Sequence, residues 1–248
     1  MDANYRASLP DSSTAGSTRS TRASDFVEGM SARSDSGNGI DNGRRVVQFG
    51  NGARYPAHVP APSRDEAWQL FCEWTESESL RKHVLGVEAA MRAYARKYGA
   101  DEELWAATGI LHDLDYEKHP DLETGHPRIA LELFEEKGYP RELIDAVAGH
   151  AERLGVPRET RMAKTLFAVD ELSGFIAACA LVRPTGIEGM KPKSVKKKLG
   201  QPSFAAAVDR EEMRRGAEEL GEDFDEHLAF VISAMAERGG ELGLAPHD

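Results

Sequence analysis

The sequence is poor in cysteine and contains no long apolar run. Among its 248 residues are two cysteines, Cys72 and Cys179, and they form no C-x-x-C pair. This excludes a disulfide framework, and both thiols are expected to be reduced core residues in the cytoplasm. No stretch approaches the ~18 consecutive apolar residues that a membrane-spanning helix needs, so no membrane partner is expected.

Basic residues are outnumbered by acidic ones, 31 Lys and Arg against 42 Asp and Glu. The formal net charge is −11, which disfavours binding of nucleic acid by the surface as a whole. The amino-terminal segment lacks the apolar stretch of a secretory signal, and its acidic residues argue against an organelle transit peptide. Residues 1–60 are rich in Ser, Gly, Asp, Asn and Arg, so they are predicted to be a disordered tail before a helical domain at 61–248.

Helical periodicity dominates the rest of the chain. Ser63 and Glu66 form a capping-box pattern that predicts the start of a first helix. A second helix is predicted from Glu78 to Tyr98, with Gly99 as its carboxyl-terminal cap. Alternation with a period of two residues is not convincing anywhere, so the predicted fold class is all-α. Further helices are predicted at about 101–111, 127–137, 141–153, 160–182, 204–220 and 224–238, with a loop over 183–199.

Four residues on these helices predict a metal site. His83 lies on the inner face of the second helix, the pair His112-Asp113 ends the third, and Asp170 lies in a mostly apolar helix. Imidazole and carboxylate together suit a divalent ion such as Mn, Fe, Co, Zn or Mg. A single inward histidine is more often a satisfied core residue, but four such residues from three helices favour a shared ion.

Two more histidines could hold a second ion. His126 opens a predicted helix and His150 ends the next one. An antiparallel helix pair returns the chain to its starting end, so the two imidazoles can be neighbours, with Asp113 bridging to the first ion. The alternative is a pair of histidines at helix ends near the surface. The cofactor is therefore expected to be one or two divalent metal ions.

The candidate metal ligands resemble the signature of a known family. The order of His83, His112-Asp113 and Asp170 resembles the H…HD…D signature of the HD-domain superfamily of metal-dependent phosphohydrolases. With the two further histidines it is similar to the dinuclear branches of that superfamily. The stretches ILHDLDYEKHP, AVAGHAERLG and FAVDELSGFIAACALVRP also resemble small bacterial predicted HD hydrolases. The resemblance covers about residues 64–182 and implies an HD-domain helical bundle that hydrolyses a phosphate ester, most often of a nucleotide.

The predicted catalytic residues follow from metal chemistry. Asp113 would orient a water activated by the metal, and cations would stabilise charge on the phosphoryl oxygens. Lys118 and Arg183 are predicted to be catalytic and to bind substrate, and Lys191 and Lys193 to bind substrate. Many relatives have Gly and Lys directly after the His-Asp pair, whereas Lys118 stands in a different register.

Other charged residues near these positions have two interpretations each. The run Lys196–Lys198 is either a solvated helix face or a contact for phosphate or polynucleotide. Asp115, Glu117 and Asp121 follow the His-Asp pair. One of them could act as a general acid, but most are expected to be solvated loop carboxylates.

The predicted function is a metal-dependent phosphohydrolase acting on a small phosphorylated substrate, a nucleotide above all. One alternative is a di-iron HD-type oxygenase of a phosphonate or polyol, which would consume oxygen. The other is a non-catalytic nucleotide-binding module, which would bind without turnover. The sequence does not determine the substrate, the metal or the oligomeric state.

Overall fold

The structure is a computed structural model that describes residues 40–41, 44–48, 54–56 and 61–246. The other residues of the predicted tail, and with them most of that prediction, lie outside the described residues. Within 61–246 there is no strand, so the all-α prediction is confirmed for the helical unit.

Three short strands pair in an antiparallel sheet of order β1-β2-β3, in which Val47 lies opposite Tyr55. No strand was predicted in this segment, although Val46 and Val47 are β-branched and favour extended backbone. The strands are β1 (Ile40–Asp41), β2 (Arg44–Gln48) and β3 (Arg54–Pro56).

Within residues 61–246 the chain forms nine α-helices and one 3-10 turn at Glu152–Leu154. In the described part of the chain, none of them has both the length and the apolarity that crossing a membrane requires. The helices are α1 (Arg64–Trp74), α2 (Glu78–Tyr98), α3 (Glu102–Leu111), α4 (Arg128–Lys137), α5 (Arg141–His150), α6 (Arg161–Leu181), α7 (Pro192–Leu199), α8 (Arg210–Leu220) and α9 (Phe224–Ala236).

Most helix ends agree with the local sequence signals. The capping box of Ser63 and Glu66 forms at the start of α1, and Gly99 caps α2 in the left-handed conformation at φ 64°. Two predictions are wrong. The segment 183–199 is not all loop, because α7 begins with a proline in its first turn. Helix α8 begins at Arg210 rather than near Phe204, with Asp209 as its amino-terminal cap.

The core is built around α2 and α6, which pack against each other and against several neighbours. Helix α2 also packs against α3, where Gly109 permits a close approach. A Cβ atom at Gly109 would lie 3.1 Å from the Cα of Glu88, tighter than ordinary packing. This crossing brings the end of α3 beside the first turns of α2, and so sets His112 next to His83.

Candidate metal centre

The structure brings the first four predicted ligands together at the junction of α2, α3 and α6. Nε2 of His83 lies 3.0 Å from Oδ1 of Asp170 and 3.7 Å from Oδ2 of Asp113. Nε2 of His112 lies 3.4 Å from each of the same two carboxylates. Three helices that are distant in sequence therefore converge on one point.

The two further histidines lie on the other side of Asp113. Nε2 of His126 lies 3.2 Å from Nε2 of His150 and 3.4 Å from Oδ1 of Asp113. Nε2 of His150 lies 3.9 Å from the same oxygen. Helices α4 and α5 are antiparallel, as expected, so His126, just before α4, and His150, the last residue of α5, are neighbours. Both imidazoles therefore lie in the cluster.

Asp113 is common to both groups of ligand atoms. Its Oδ2 faces His83 and His112, and its Oδ1 faces His126 and His150. In each group, the donor atoms of Asp113 and its two histidines lie within 4.8 Å of one another, close enough to hold an ion. A carboxylate with one oxygen on each side is the usual form of a bridge between two ions.

Three of the imidazoles are held by their other nitrogen. Nδ1 of His112 lies 2.8 Å from the carbonyl oxygen of Gly109, and Nδ1 of His150 is bonded to the carbonyl of Val147. Nδ1 of His126 lies 2.8 Å from a carboxylate oxygen of Asp115. Carbonyl and carboxylate oxygens only accept hydrogen bonds, so each Nδ1 donates. In the neutral ring this leaves the lone pair on Nε2, turned toward Asp113.

Several buried polar atoms at this point lack a hydrogen bond. Among the described residues, neither carboxylate oxygen of Asp113 has a hydrogen-bond partner, and neither does Nε2 of His112. Both residues are fully buried. Buried polar groups are normally paired, and a buried carboxylate is costly unless a cation faces it. The donor set, its burial and these unpaired atoms fit a divalent metal ion.

The electrostatics of the cluster also favour a cation. Burial works against a charged imidazole at His112, but Asp113 and Asp170 outweigh it and raise its pKa well above the ordinary value. Burial likewise opposes ionisation of Asp113, yet the adjacent His112 lowers the pKa of this carboxyl. Burial, with a smaller effect of His126, lowers the pKa of His150 to about 4. His150 is therefore a neutral imidazole at pH 7, the form that binds metal.

Asp115 belongs to the site, contrary to the prediction from sequence. It was expected to be a solvated loop carboxylate, but it is fully buried. Its Oδ1 accepts from His126 and its Oδ2 accepts from the backbone N–H of Ala130 at 2.8 Å. The signal in the sequence is that Leu114 and Tyr116 flank it, and both are buried. Asp115 therefore fixes the ring that faces Asp113.

The other two acidic residues of this loop have local structural roles. Glu117 accepts hydrogen bonds from the backbone N–H groups of Glu76 and Ser77, ahead of α2. Asp121 accepts from the backbone of Glu123 and from Thr124. Both are exposed, as expected for solvated loop carboxylates.

The structure does not bring the predicted phosphate-binding cations into the cluster. Lys118 donates to the carbonyl of Glu73 and lies 5.0 Å from the ring centroid of Trp74. Asp170 lies eleven residues before the last residue of α6, which is about 17 Å along the helix axis. Arg183 follows that far end and donates to Thr185 and to the carbonyl of Glu188. Lys191 and Lys193 lie beyond it at the start of α7.

The family comparison agrees with this geometry. Residues 80–174 match the family model of the HD domain. The matched range begins just before His83, ends just after Asp170 and contains all six clustered ligands. HD domains generally belong to metal-dependent hydrolases, and the ligands converge as that chemistry requires.

Similar curated proteins are named Ribonuclease Y. The protein of Oleidesulfovibrio alaskensis is 31% identical over 106 residues, which are 43% of this chain and 20% of the relative. That of Thermus thermophilus is 30% identical over 92 residues, 37% of this chain and 15% of the relative. That of Rhodopirellula baltica is 26% identical over 141 residues, 57% and 25% of the two chains. The chain thus spans a quarter or less of these relatives, and no solved structure matches it significantly.

Proposed function

We infer that the protein is a metal-dependent phosphohydrolase that acts on a nucleotide or another small phosphate ester. The observation that supports this most is the state of Asp113. It is buried, both of its oxygens lack a hydrogen-bond partner within the described residues, and imidazoles face it on both sides. This is a prepared site for cations inside an HD domain.

The ligands divide naturally into two sets. His83, His112, Asp113 and Asp170 would hold one ion, and Asp113, His126 and His150 would hold a second. A bound divalent ion lowers the pKa of its water toward ~7 and polarises phosphoryl oxygens. The high proportion of imidazole favours Mn, Fe, Co or Zn over Mg.

The surrounding residues prepare the site for substrate. Asp115 and the carbonyls of Gly109 and Val147 fix three imidazoles, so little reorganisation is needed when charge develops. Water is largely excluded, which strengthens the local electrostatic interactions. His83 has the largest exposed side-chain fraction of the six, 9%, so substrate would approach on its side. Lys118, on the loop that follows Asp113, would have to leave its contacts with Glu73 and Trp74 to bind a phosphate there.

The named relatives support a second candidate substrate. They are named Ribonuclease Y, so a phosphodiester bond of RNA is the alternative to a small phosphate ester. The net charge of −11 argues against extensive RNA contacts by this chain. A small ester is therefore the preferred substrate class.

The test is phosphate release by the full chain from nucleotides, sugar phosphates and short RNA, each with added Mn, Co, Mg or chelator. We expect release from a small ester that requires metal and is lost in Asp113→Asn. The matched control is Asp145→Asn, which removes a half-exposed carboxylate paired with Arg141 at 2.7 Å on α5. Metal-independent release, or full activity of Asp113→Asn, would refute the proposal.

A further inference from the structure

A second group of cations lines a cavity far from the metal centre. The cavity lies between the carboxyl-terminal end of α6 and helix α7 and has a volume of about 260 Å³. Among the described residues that line it, none carries a carboxylate. We call it the cation cleft, and its lining residues are Cys179, Arg183, Ser194, Lys197, Lys198 and Gln201.

One face of α7 forms a wall of the cleft. Lys197 and Lys198 lie three and four residues after Ser194, so these three side chains share a face of α7, and Gln201 follows just beyond the end of the helix. The opposite side of α7 is engaged elsewhere. Val195 and Leu199 are buried in the core. Lys196, between them, pairs with Asp225 of α9 at 2.6 Å.

The wall is held in place by aromatic and hydrogen-bond contacts. Nζ of Lys198 lies 4.4 Å from the ring centroid of Phe204, which itself packs edge-on against Phe175 of α6. Arg210 donates to the carbonyls of Leu199, Val208, Gln201 and Phe204, and so ties the end of α7 to the start of α8. The cleft is therefore largely preformed. The half-buried side chain of Lys198 is held against Phe204 and has little freedom to leave the cleft.

None of the three cations of the cleft forms an ion pair with a carboxylate in the part of the chain that the structure describes. Lys and Arg near a helix carboxyl terminus offset the helix dipole, which is the ordinary structural role of such residues. That dipole is equivalent to about −0.5 charge per helix end, so the ends of α6 and α7 supply about −1. Three cations line the cleft, which leaves an excess of about two positive charges. A phosphate monoester carries about −1.5 to −2 charges at pH 7, which matches that excess.

We propose that the cation cleft binds the phosphate group of a small, free phosphorylated molecule. Drug-sized ligands occupy pockets of about 300–1,000 Å³, so a cavity of about 260 Å³ fits a phosphate with a small substituent. A nucleic-acid strand is disfavoured by the net charge of −11. The cleft begins near Cys179, nine residues beyond Asp170 on α6, or about 14 Å along the axis. Its ligand therefore does not depend on the metal centre or its function.

The raised pKa of Cys179 is consistent with this arrangement. Burial raises the pKa of this thiol to about 12, while Lys198 and Arg183 act in the opposite direction. Both cations thus lie close enough to Cys179 to act on the same small volume.

The first measurement is nuclear magnetic resonance of the full chain, treated with chelator, during titration with inorganic phosphate. We expect the largest amide shifts at residues 179–183 and 194–201. The Asp113→Asn variant should show the same shifts and the same dissociation constant. The absence of shifts in these residues at millimolar phosphate would overturn the proposal, as would dependence on Asp113.

Paired variants test the cations. The double variant Lys197→Gln and Lys198→Gln should weaken phosphate binding by about tenfold or more, since each charged hydrogen bond contributes a large part of a small ligand's affinity. The matched control is Lys191→Gln with Lys193→Gln, which removes the same charge at the start of α7 and outside the cleft, and it should change affinity by less than about twofold. Equal losses in the two pairs would contradict the proposal.

A competition experiment distinguishes a free phosphorylated molecule from the phosphate backbone of RNA. Inorganic phosphate or a nucleoside monophosphate should compete for the same shifts. Binding of single-stranded RNA at residues 194–201 that free phosphate does not displace would overturn the assignment to a small ligand.

Discussion

Two buried carboxylates at the crossing of α2 and α3 have opposite surroundings. Glu88 is paired with three guanidinium groups, those of Arg64, Arg92 and Arg238, at 3.1, 3.1 and 2.8 Å. Asp113 is as deeply buried, but neither of its oxygens has a hydrogen-bond partner among the described residues. Guanidinium groups neutralise the first carboxylate, whereas imidazoles are the groups that face the second.

The contrast separates structural charge from functional charge. The arginines around Glu88 join α1, α2 and the turn after α9, and two of them also bind Glu103 and Glu241. Arg64 and Arg92 lie within 4.0 Å of two more carboxylates, those of Asp65 and Glu102, so every guanidinium group of this network is paired within the protein. Around Asp113 the neighbours are imidazoles and a second carboxylate, Asp170, which favour an added positive charge.

The largest expected effect is on catalysis. Asp113→Ala should lower kcat/KM for phosphate release by at least about a thousandfold, or ~4 kcal/mol, because the residue contacts both groups of metal ligands. Glu88→Gln should retain most of the turnover at a temperature where it is folded. Steady-state kinetics with saturating metal measures both, and similar losses in the two variants would remove the distinction.

Stability should respond in the reverse order. Glu88→Gln leaves guanidinium groups uncompensated and should lower the free energy of unfolding by about 2–3 kcal/mol. This is less than for a fully buried pair, because those side chains are 22–23% exposed. Asp113→Asn loses the attraction to His112 that lowers the pKa of this carboxyl, but it also removes the repulsion from Asp170, so it should lower the stability of metal-free protein by less than Glu88→Gln does. Urea unfolding in chelator measures this, and the comparison fails if Asp113→Asn is the less stable variant.

Asp115→Asn should weaken metal binding by about 10–100-fold. The carboxylate accepts from His126 with one oxygen and from Ala130 with the other, whereas an amide has a single acceptor oxygen. The control is Glu117→Gln, two residues along the same turn, which should leave metal affinity unchanged. Competition titration with a chelating dye gives both constants, and equal affinities for the two variants would show that Asp115 does not position the ring.

His227 is a buried histidine whose polar atoms, unlike those of His112, are all paired within the protein. Both ring nitrogens of His227 are paired, with the hydroxyl of Tyr94 at 2.6 Å and the carbonyl of Ala168 at 3.0 Å. Burial lowers its pKa in the folded state, while the unfolded value is about 6.5. Below that pH the unfolded chain binds a proton that the native one does not, so stability is full above pH ~6.5 and falls as the pH drops.

The measurement for His227 is the free energy of unfolding in urea between pH 5 and pH 8, in chelator. His227→Gln should reduce the pH dependence over this window. An unchanged slope would show that His227 does not contribute to it.

The elements best predicted from sequence are those that depend on local signals. Helix α2 has the predicted ends because the features that set them are local. These are its periodicity, the cap Ser77 before its first residue and Gly99 after its last. The six metal ligands were predicted from residue type and helix position, and the structure brings them together. Helix α7 was missed because it is short, begins at a proline and is stabilised by Val195 and Leu199 in the core.

Properties that depend on tertiary contacts were predicted poorly. Asp115 was expected to be solvated because it follows the helix end in a loop with other acidic residues. Its partners, His126 and the backbone N–H of Ala130 in α4, come close only when the loop folds. Arg183 follows Asp170 on one helix, which suggested proximity. The length of α6 instead separates the two residues by more than three turns.

The central claim is that Asp113 and its neighbours bind metal. It is tested most directly by metal analysis of the full chain purified without chelator, beside Asp113→Asn and Glu88→Gln. The account predicts at least one transition-metal ion per chain in the native protein and in Glu88→Gln, and none in Asp113→Asn. Equal metal content in native protein and Asp113→Asn, or none in native protein after incubation with Mn, Fe, Co and Zn, would contradict it.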